Sequence, residues 1–383
     1  MPSAVPPADL PGPPGIVVTG IGVTSAFGRG TGPLREAVLS GTPGFGPVTR
    51  FATDQCRVRV AAALPGSPVL VDELTAVIRD ACADADLEPG AQSGIPLLIA
   101  LHSDMAAARD PRLGNVTGQT AALVAGRCGL PGPRRVYVTA CVSATTAVAD
   151  AAAMITAGRA ERILVAAGYL VDADSMGMFD AGRSLAADGL VRPFSAGRRG
   201  MLLGDGVAAL VLESVRAASD RGAAPMARLA GWGRAGDAHH VCEPRPDGAG
   251  LARAIDAALN RAGVGAADVD YVNANGTGTQ QSDPAEAAAL HRALGGHAAA
   301  IPVSSTKSVH GHALEASGLL ELVVTILALR SGRLPVNAGY LGADAECDLD
   351  LILGSARESQ PRYALTLNAA FGGANTALLV EAA

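Results

Sequence analysis

The sequence predicts one layered α/β unit with buried sheets, and three observations predict it. Short β-branched and aliphatic runs alternate with Ala-rich stretches of helical length, the pattern of sheets with helices on their faces. Several of the runs are continuously apolar instead of alternating, as strands covered on both faces are. The chain has 383 residues, enough for one large domain or two fused ones, and no long linker interrupts it. Ser219–Pro225 reads as a seam between two halves, 14–224 and 225–383, each starting with a strand, behind a Pro-rich leader at 1–13 expected to be disordered.

Taken in order, the first strand is Ile16–Thr19, followed by Leu97–Leu101 and Val136–Thr139. An Ala-rich helix over Val142–Ala157 leads to strands Arg162–Ala167 and Val207–Leu212. The second half has a helix over Leu251–Ala262, a strand Val269–Asn273 and a helix Asp283–Ala293. Asp283-Pro284 is its start signal, an N-cap candidate followed by Pro in the first turn. Strand Ile301–Ser304, a helix over His312–Leu329 and strands Tyr363–Leu367 and Thr376–Val380 complete the chain.

Composition removes several classes of function. With 49% hydrophobic residues and 17% charged, the chain has the apolar surface a disordered protein lacks. Six Phe, five Tyr and one Trp are too few for the stacking platforms of a single-strand nucleic-acid binder. Thirty basic against 36 acidic residues, a net charge of −6, leave no electrostatic footprint for a phosphate backbone. Cys56, Cys82, Cys128, Cys141, Cys242 and Cys347 have no C-x-x-C spacing, which argues against a zinc or redox motif, so no metal is expected. With no signal-peptide pattern and no unbroken apolar run of about 18 residues, the cytoplasm is the default compartment and membrane association is not expected.

Four strand ends carry the residues that could do chemistry. At Val136–Ala144 an apolar strand ends at Cys141 and a long helix begins. The positive end of a helix favours thiolate, and backbone N–H groups there can hold an oxyanion; the alternative is a packing cysteine. Tyr271–Thr279 runs from a strand into Asn275-Gly276-Thr277-Gly278-Thr279, followed by Asp283 and Glu286. As a phosphate-binding signal this is weak, lacking the third Gly and the Walker Lys, and a polar turn with Asn275 at φ > 0 or in an Asx-turn is the plain alternative. Val303–His312 places Lys307, His310 and His312 within six residues at a third strand end, where open α/β sheets gather ligands. Asn368–Asn375 is a Gly-Gly loop after a fourth strand. Thiol, imidazole, ammonium and loop together describe an acyl-transfer site.

In this order and spacing the four segments resemble the β-ketoacyl-acyl carrier protein synthases, the condensing enzymes of fatty-acid and polyketide synthesis. Val17–Ser25, Arg192-Pro193-Phe194-Ser195, Leu203-Gly204-Asp205-Gly206 and Asp237-Ala238-His239-His240 agree as well, so the resemblance runs from about residue 14 to 381. It implies a thiolase-like α/β fold, five layers αβαβα from two similar halves, and a homodimer or a ketosynthase heterodimer. Cys141 matches the nucleophile that takes the acyl chain from a carrier-protein phosphopantetheine, His312 the second histidine of the family's Cys-His-His set, and Lys307 the lysine that supports it. Phe371 matches the gate, its backbone N–H forming the oxyanion hole with that of Cys141. Glu321 matches a glutamate near the lysine, and Thr277, Thr279 and Asp237 fall in supporting motif positions. An acyl carrier protein is the implied partner; the chain needs no cofactor of its own, since the carrier supplies the phosphopantetheine.

Four departures from the family pattern bear on the reaction. Asn275 stands where the family has its first histidine. The family uses two imidazoles to stabilise the enolate left by malonyl decarboxylation. An amide can donate a hydrogen bond but cannot act as acid or base near neutral pH. Condensation with Asn275 as donor and acyl transfer from Cys141 without C–C bond formation both fit, as does a catalytically silent partner subunit. The sequence favours acyl transfer with weakened or absent condensation. The stretch between His102 and Gln119 is short, Ala369 and Ala370 precede Phe371 in place of Phe and Gly, and Cys242 and Glu243 replace small hydroxyl residues. A bulky, polar or aromatic acyl chain fits these three changes. Arg198, Arg199, Arg134 and Arg135 are candidates for a basic patch facing an acidic carrier protein.

Overall fold

The computed structural model describes residues 15–87, 94–102 and 115–383; the leader and most of the short segment before Gln119 lie outside them. In chain order the elements that position the site are β1 (Ile16–Ser25), α1 (Leu70–Asp84), β2 (Leu97–Leu101), β3 (Arg134–Tyr137), α2 (Ser143–Thr156), β4 (Arg162–Tyr169) and β5 (Gly206–Ser214). They continue with β6 (Ala227–Gly236), α3 (Ala249–Ala262), β7 (Tyr271–Asn273), α4 (Ser282–Leu294), β8 (Pro302–Ser304), α5 (Ser317–Ser331), β9 (Tyr363–Ala370) and β10 (Ala374–Ala382). The strands pair in the order β8-β7-β9-β10-β6-β1-β5-β4-β2-β3. Each half therefore repeats one plan: its first strand at the centre, then its fifth, fourth, second and third. The two plans meet where β1 pairs antiparallel with β6 at Val17–Arg228 and Val18–Ala227.

Helices complete five layers. α2 and α5 lie in the middle, in a core shared with β4, β5 and β10. α1 covers the outer face of the first half, and α3 and α4 cover that of the second. α5 is apolar almost all round, which is what a fully enclosed helix requires, and Leu319, Leu320, Val323 and Ile326 are sealed. Every residue of β1, β2 and β5 is buried, in line with the continuous apolar runs. No helix among the described residues is long and apolar enough to cross a membrane.

Three expectations are sharpened or corrected. The strand expected to open the second half is β6, whose bounds the sequence does not mark, because Ala-Arg-Leu-Ala-Gly-Trp-Gly-Arg-Ala-Gly lacks β-branched residues and holds three glycines. The reason lies in the layer above. A Cβ at Gly231 or Gly233 would run into the carbonyl oxygens of Ala258 and Ala254 on α3. The first half repeats the device, Gly20 and Gly22 of β1 facing the carbonyls of Ala81 and Val77 on α1. Gly233→Val is accordingly expected to lift α3 off its strand and destabilise the fold by at least the ~1–3 kcal/mol of an overpacked core, read by urea unfolding; an unchanged midpoint would show that the layer can shift freely.

The second correction is at His312, which does not begin the long helix. A single turn at Lys307–His310 ends at Gly311 (φ 73°), Leu314 takes φ 43°, and α5 starts only at Ser317. Third, the third strand ends at Tyr137, leaving Val138–Ala140 to turn towards Cys141.

Candidate active site

The Cys141 turn is built by local hydrogen bonds. Ala140 adopts a left-handed φ of 51°, which an L-residue with a Cβ takes only when its surroundings hold it there. Ser143 supplies the hold: its hydroxyl donates to Ala140 O at 2.6 Å and accepts from Thr139 N–H at 2.7 Å. Cys141 is thus presented at the edge of a cavity of about 400 Å³ that Asn275, His312, Thr277, Thr279 and Phe371 also line.

The thiolate expected from the helix terminus is not the resting state. Cys141 lies in a 3-10 turn, Ala140–Val142, ahead of α2. Burial pushes its thiol up to about 12, the Glu315 carboxylate pushes the same way, and the Lys307 ammonium opposes them. Below its pKa a thiol gains thiolate about tenfold per pH unit. Alkylation of Cys141 by iodoacetamide, followed by peptide mass, is therefore expected to climb steadily between about pH 6 and 9. A plateau within that window would overturn the assignment.

The Asn275 loop is held from beneath. Glu286, one turn beyond Asp283 on the same face of α4, accepts from the backbone N–H groups of Asn275 and Gly276, each at 2.7 Å. Asp283 accepts from Phe194 N–H at 2.7 Å and Gly278 N–H at 3.1 Å. Burial raises both carboxyls, Asp283 to about 6 and Glu286 to about 7. Positive φ falls on Gly276 and Gly278 and not on Asn275. Thr277 and Thr279 hydroxyls lie 3.2 Å apart, and Thr279 Oγ1 caps Ser282 N–H.

Lys307 connects this loop to α5. Its ammonium donates to Asn275 O at 2.7 Å and to Asn275 Oδ1 at 3.3 Å. It also forms an ion pair with Glu321 Oε1 at 2.5 Å, both side chains fully buried. Glu321 Oε2 accepts from Asn368 Nδ2 at 2.6 Å, and desolvation raises its carboxyl despite the lysine. Because the ammonium fixes Oδ1, the other end of the Asn275 amide, its NH₂, is left for the cavity.

His312 is fixed just as tightly. The backbone N–H of Leu314 donates to His312 Nδ1 at 3.1 Å, and Ser317 Oγ lies 2.7 Å from the same nitrogen. A nitrogen that accepts from a backbone N–H carries no proton. Burial and the neighbouring Lys307 charge hold the imidazole well below its ordinary pKa, so the ring is neutral with its proton on Nε2. His310, in contrast, is sealed between Thr306 Oγ1 and Gly311 O, at 2.9 and 2.8 Å, and is structural.

Phe371 is 47% exposed and its ring lies 6.1 Å from that of Phe179. Gly372 N–H donates to Val241 O at 2.8 Å, and Asp237 N–H to Gly373 O at 2.8 Å. Asp237 Oδ1 accepts from Asn375 Nδ2 at 2.7 Å, so this aspartate ties the Phe371 loop to the loop carrying Cys242 and Glu243. Both of those residues line the cavity, with Ala369 and Ala370.

The basic candidates divide. Arg199 lines the cavity mouth and is 67% exposed. Arg198 is buried against Asp344 at 2.6 Å. Arg134 and Arg135 open β3, the strand end remote from Cys141. Sequence reasoning gave no role to Asn368, Ser317, Glu286 or Glu315; the one signal for Glu315 is a charge in the otherwise uncharged run between His312 and Glu321.

Known proteins resemble the chain over nearly its whole length. Residues 96–218 match the β-ketoacyl synthase N-terminal domain and residues 226–340 its C-terminal domain. The chain is 31% identical to the 3-oxoacyl-[acyl-carrier-protein] synthase 2 of Coxiella burnetii, over 96% of this chain and 98% of that protein. It superposes on the ishigamide ketosynthase/chain length factor with a TM-score of 0.88 at 28% identity, covering 97% of this chain and 99% of that one. It also superposes on a type II PKS acyl-carrier protein in complex with its ketosynthase bound to the hexaketide, with a TM-score of 0.88 at 27% identity, covering 97% and 100%. Five layers in two like halves, a cysteine at a strained turn and this similarity over nearly the whole length lead to one conclusion: the chain belongs to the β-ketoacyl synthase family and has its thiolase-like fold.

Proposed function

We propose that the chain is a condensing enzyme in which Asn275 does the work of the family's first histidine. It takes an acyl group from a carrier-protein phosphopantetheine onto Cys141 and extends it with a malonyl thioester. The observation that carries this reading is the hydrogen-bond polarity of the cavity. His312 presents Nε2–H and Asn275 presents its NH₂; both are donors, and neither is a base. Two donors are what an enolate oxygen needs. Transfer of the acyl group to an alcohol or amine would instead need a group that accepts a proton, so the geometry favours condensation over the transfer that sequence alone favours.

The steps follow from these atoms. In loading, Cys141 sulfur attacks the acyl thioester, the carrier's thiol leaves, and the proton of Cys141 passes to it. In extension, the bond between the malonyl carboxylate and its methylene breaks and CO₂ departs. The electron pair moves into an enolate whose oxygen is held by Nε2–H and the Asn275 amide. The enolate carbon then attacks the acyl carbonyl on Cys141, and backbone N–H groups of Cys141 and Phe371 hold the oxyanion. The C–S bond breaks last, returning Cys141 as thiolate beside Lys307. The ion pair of Lys307 with Glu321, intact beneath the cavity, speaks against a silent subunit.

An acyl carrier protein is the proposed partner, docking at the Arg199 side of the mouth. A second copy or a ketosynthase-like partner is proposed to pair with β3, the edge strand of its sheet. Intact-protein mass spectrometry tests the reaction. Acyl-carrier protein should add acyl mass at Cys141, and malonyl-carrier protein should discharge it with CO₂ and a β-ketoacyl product. A stable acyl-enzyme that ignores malonyl and yields to an amine or alcohol would overturn condensation.

A further inference from the structure

A carboxylate beside the nucleophile has no part in these steps. Glu315 lies in the 3-10 turn Leu314–Ala316, which packs against the Cys141 turn. Its side chain is 8% exposed, and its Oε2 meets His102 Nδ1 at 2.8 Å. Its Oε1 takes no hydrogen bond among the described residues, yet is not one of the sealed polar atoms. Its charge reaches the thiol, raising it.

His102 is clamped from both sides. It follows β2, the strand next to β3, and its Nε2 lies 3.2 Å from Ser175 Oγ. Ser175 has one hydroxyl hydrogen and gives it to Asp172 Oδ2 at 2.7 Å, so it accepts from His102 Nε2–H. With Oε2 on His102, Glu315 Oε1 is the carboxylate oxygen left without a hydrogen bond among the described residues. Beside the His102 ring, set edge-on to Tyr169 at 5.6 Å, a cavity of about 330 Å³ opens, lined by Leu101, Thr117, Thr120, Tyr169 and Asp172.

We propose that Glu315, held by His102, is a specificity-determining residue: it selects acyl groups that carry a hydroxyl or an amine able to donate a hydrogen bond to its open oxygen. The inference deepens the condensing reading and rests on acylation of Cys141. A plain alkyl chain covers Oε1 without satisfying it, which costs free energy, and an anionic chain is repelled. A donor gains a charge-assisted bond instead, a preference on the order of 10- to 100-fold.

The test compares the rate of Cys141 acylation, by intact mass, for pantetheine thioesters of matched length: hexanoyl, 3-hydroxyhexanoyl, 6-aminohexanoyl and adipoyl. In the unmodified protein at least one donor-bearing chain is expected to load roughly tenfold or more faster than hexanoyl, with adipoyl slowest. Glu315→Met should abolish the preference. Glu315→Gln, which keeps an acceptor without charge, should reduce it for the amine more than for the hydroxyl. Thermal unfolding and iodoacetamide labelling of Cys141 report whether each variant is folded, and the unmodified protein alone decides if they are not. Equal loading of hexanoyl and both donor-bearing chains overturns the inference, as does an unchanged ranking in Glu315→Met. Discharge by malonyl is scored separately: preference without discharge sinks condensation and leaves this inference, equal loading with discharge does the reverse, and failure of every chain to load sinks both.

Discussion

Replacing Asn275 by Ala is expected to lower malonyl decarboxylation by about 10²–10³-fold while acylation of Cys141 changes little. The separation follows from which step uses which donor. Loading involves the Cys141 sulfur and backbone N–H groups; only the enolate calls on the amide. The loop should survive the change, because Glu286 binds its backbone and Lys307 keeps both Asn275 O and Glu321. Release of CO₂ from malonyl-carrier protein, measured beside acyl-enzyme formation, checks it. Equal losses in both assays would mean that Asn275 shapes the site without donating to the enolate, and no loss in either would remove it from the reaction.

The second large effect is on stability. Glu321 is the only ionisable residue in α5 apart from Arg330 near its end, and it is fully buried. Glu321→Leu leaves the Lys307 ammonium without its counter-charge, and an uncompensated buried charge costs about 3–5 kcal/mol. The double variant Lys307→Met, Glu321→Leu should recover much of that, since well-packed apolar replacements of a buried pair are often neutral. Denaturant unfolding of the two single variants and the double one checks this. A double variant as unstable as Glu321→Leu would place the cost in packing and not in charge. Activity should not return with stability, because the methionine cannot hold the Asn275 amide in its orientation.

Much of this site was legible in sequence because chemistry gathers at strand ends, and residue type at a strand end is visible in one dimension. Cys141, Asn275, Lys307 and Phe371 each follow an apolar run, and Glu321 stands out as a carboxylate inside an apolar helix. The roles that were not legible depend on the backbone. The proton on His312 is set by an N–H from Leu314, a residue at φ 43°, and no residue type announces that. His102 and Glu315 stand 213 positions apart, and a contact over that distance leaves no local pattern. The bounds of strand β6 were not legible because its glycines answer to the helix above it and not to the sheet.

Those glycines bear on where the molecule can yield. At Gly20, Gly22, Gly231 and Gly233, α1 rests on β1 and α3 on β6 through bare backbone, and backbone cannot change rotamer to let a helix slide. The β1–β6 seam and its two outer helices therefore form a keel, whose amides should exchange with solvent only through global opening. Compliance for admitting an acyl chain is left to the loops around Val241 and Phe371. They are joined to each other by Gly372 N–H and Asp237 N–H, so they swing together, and deuterium should enter both at one common rate.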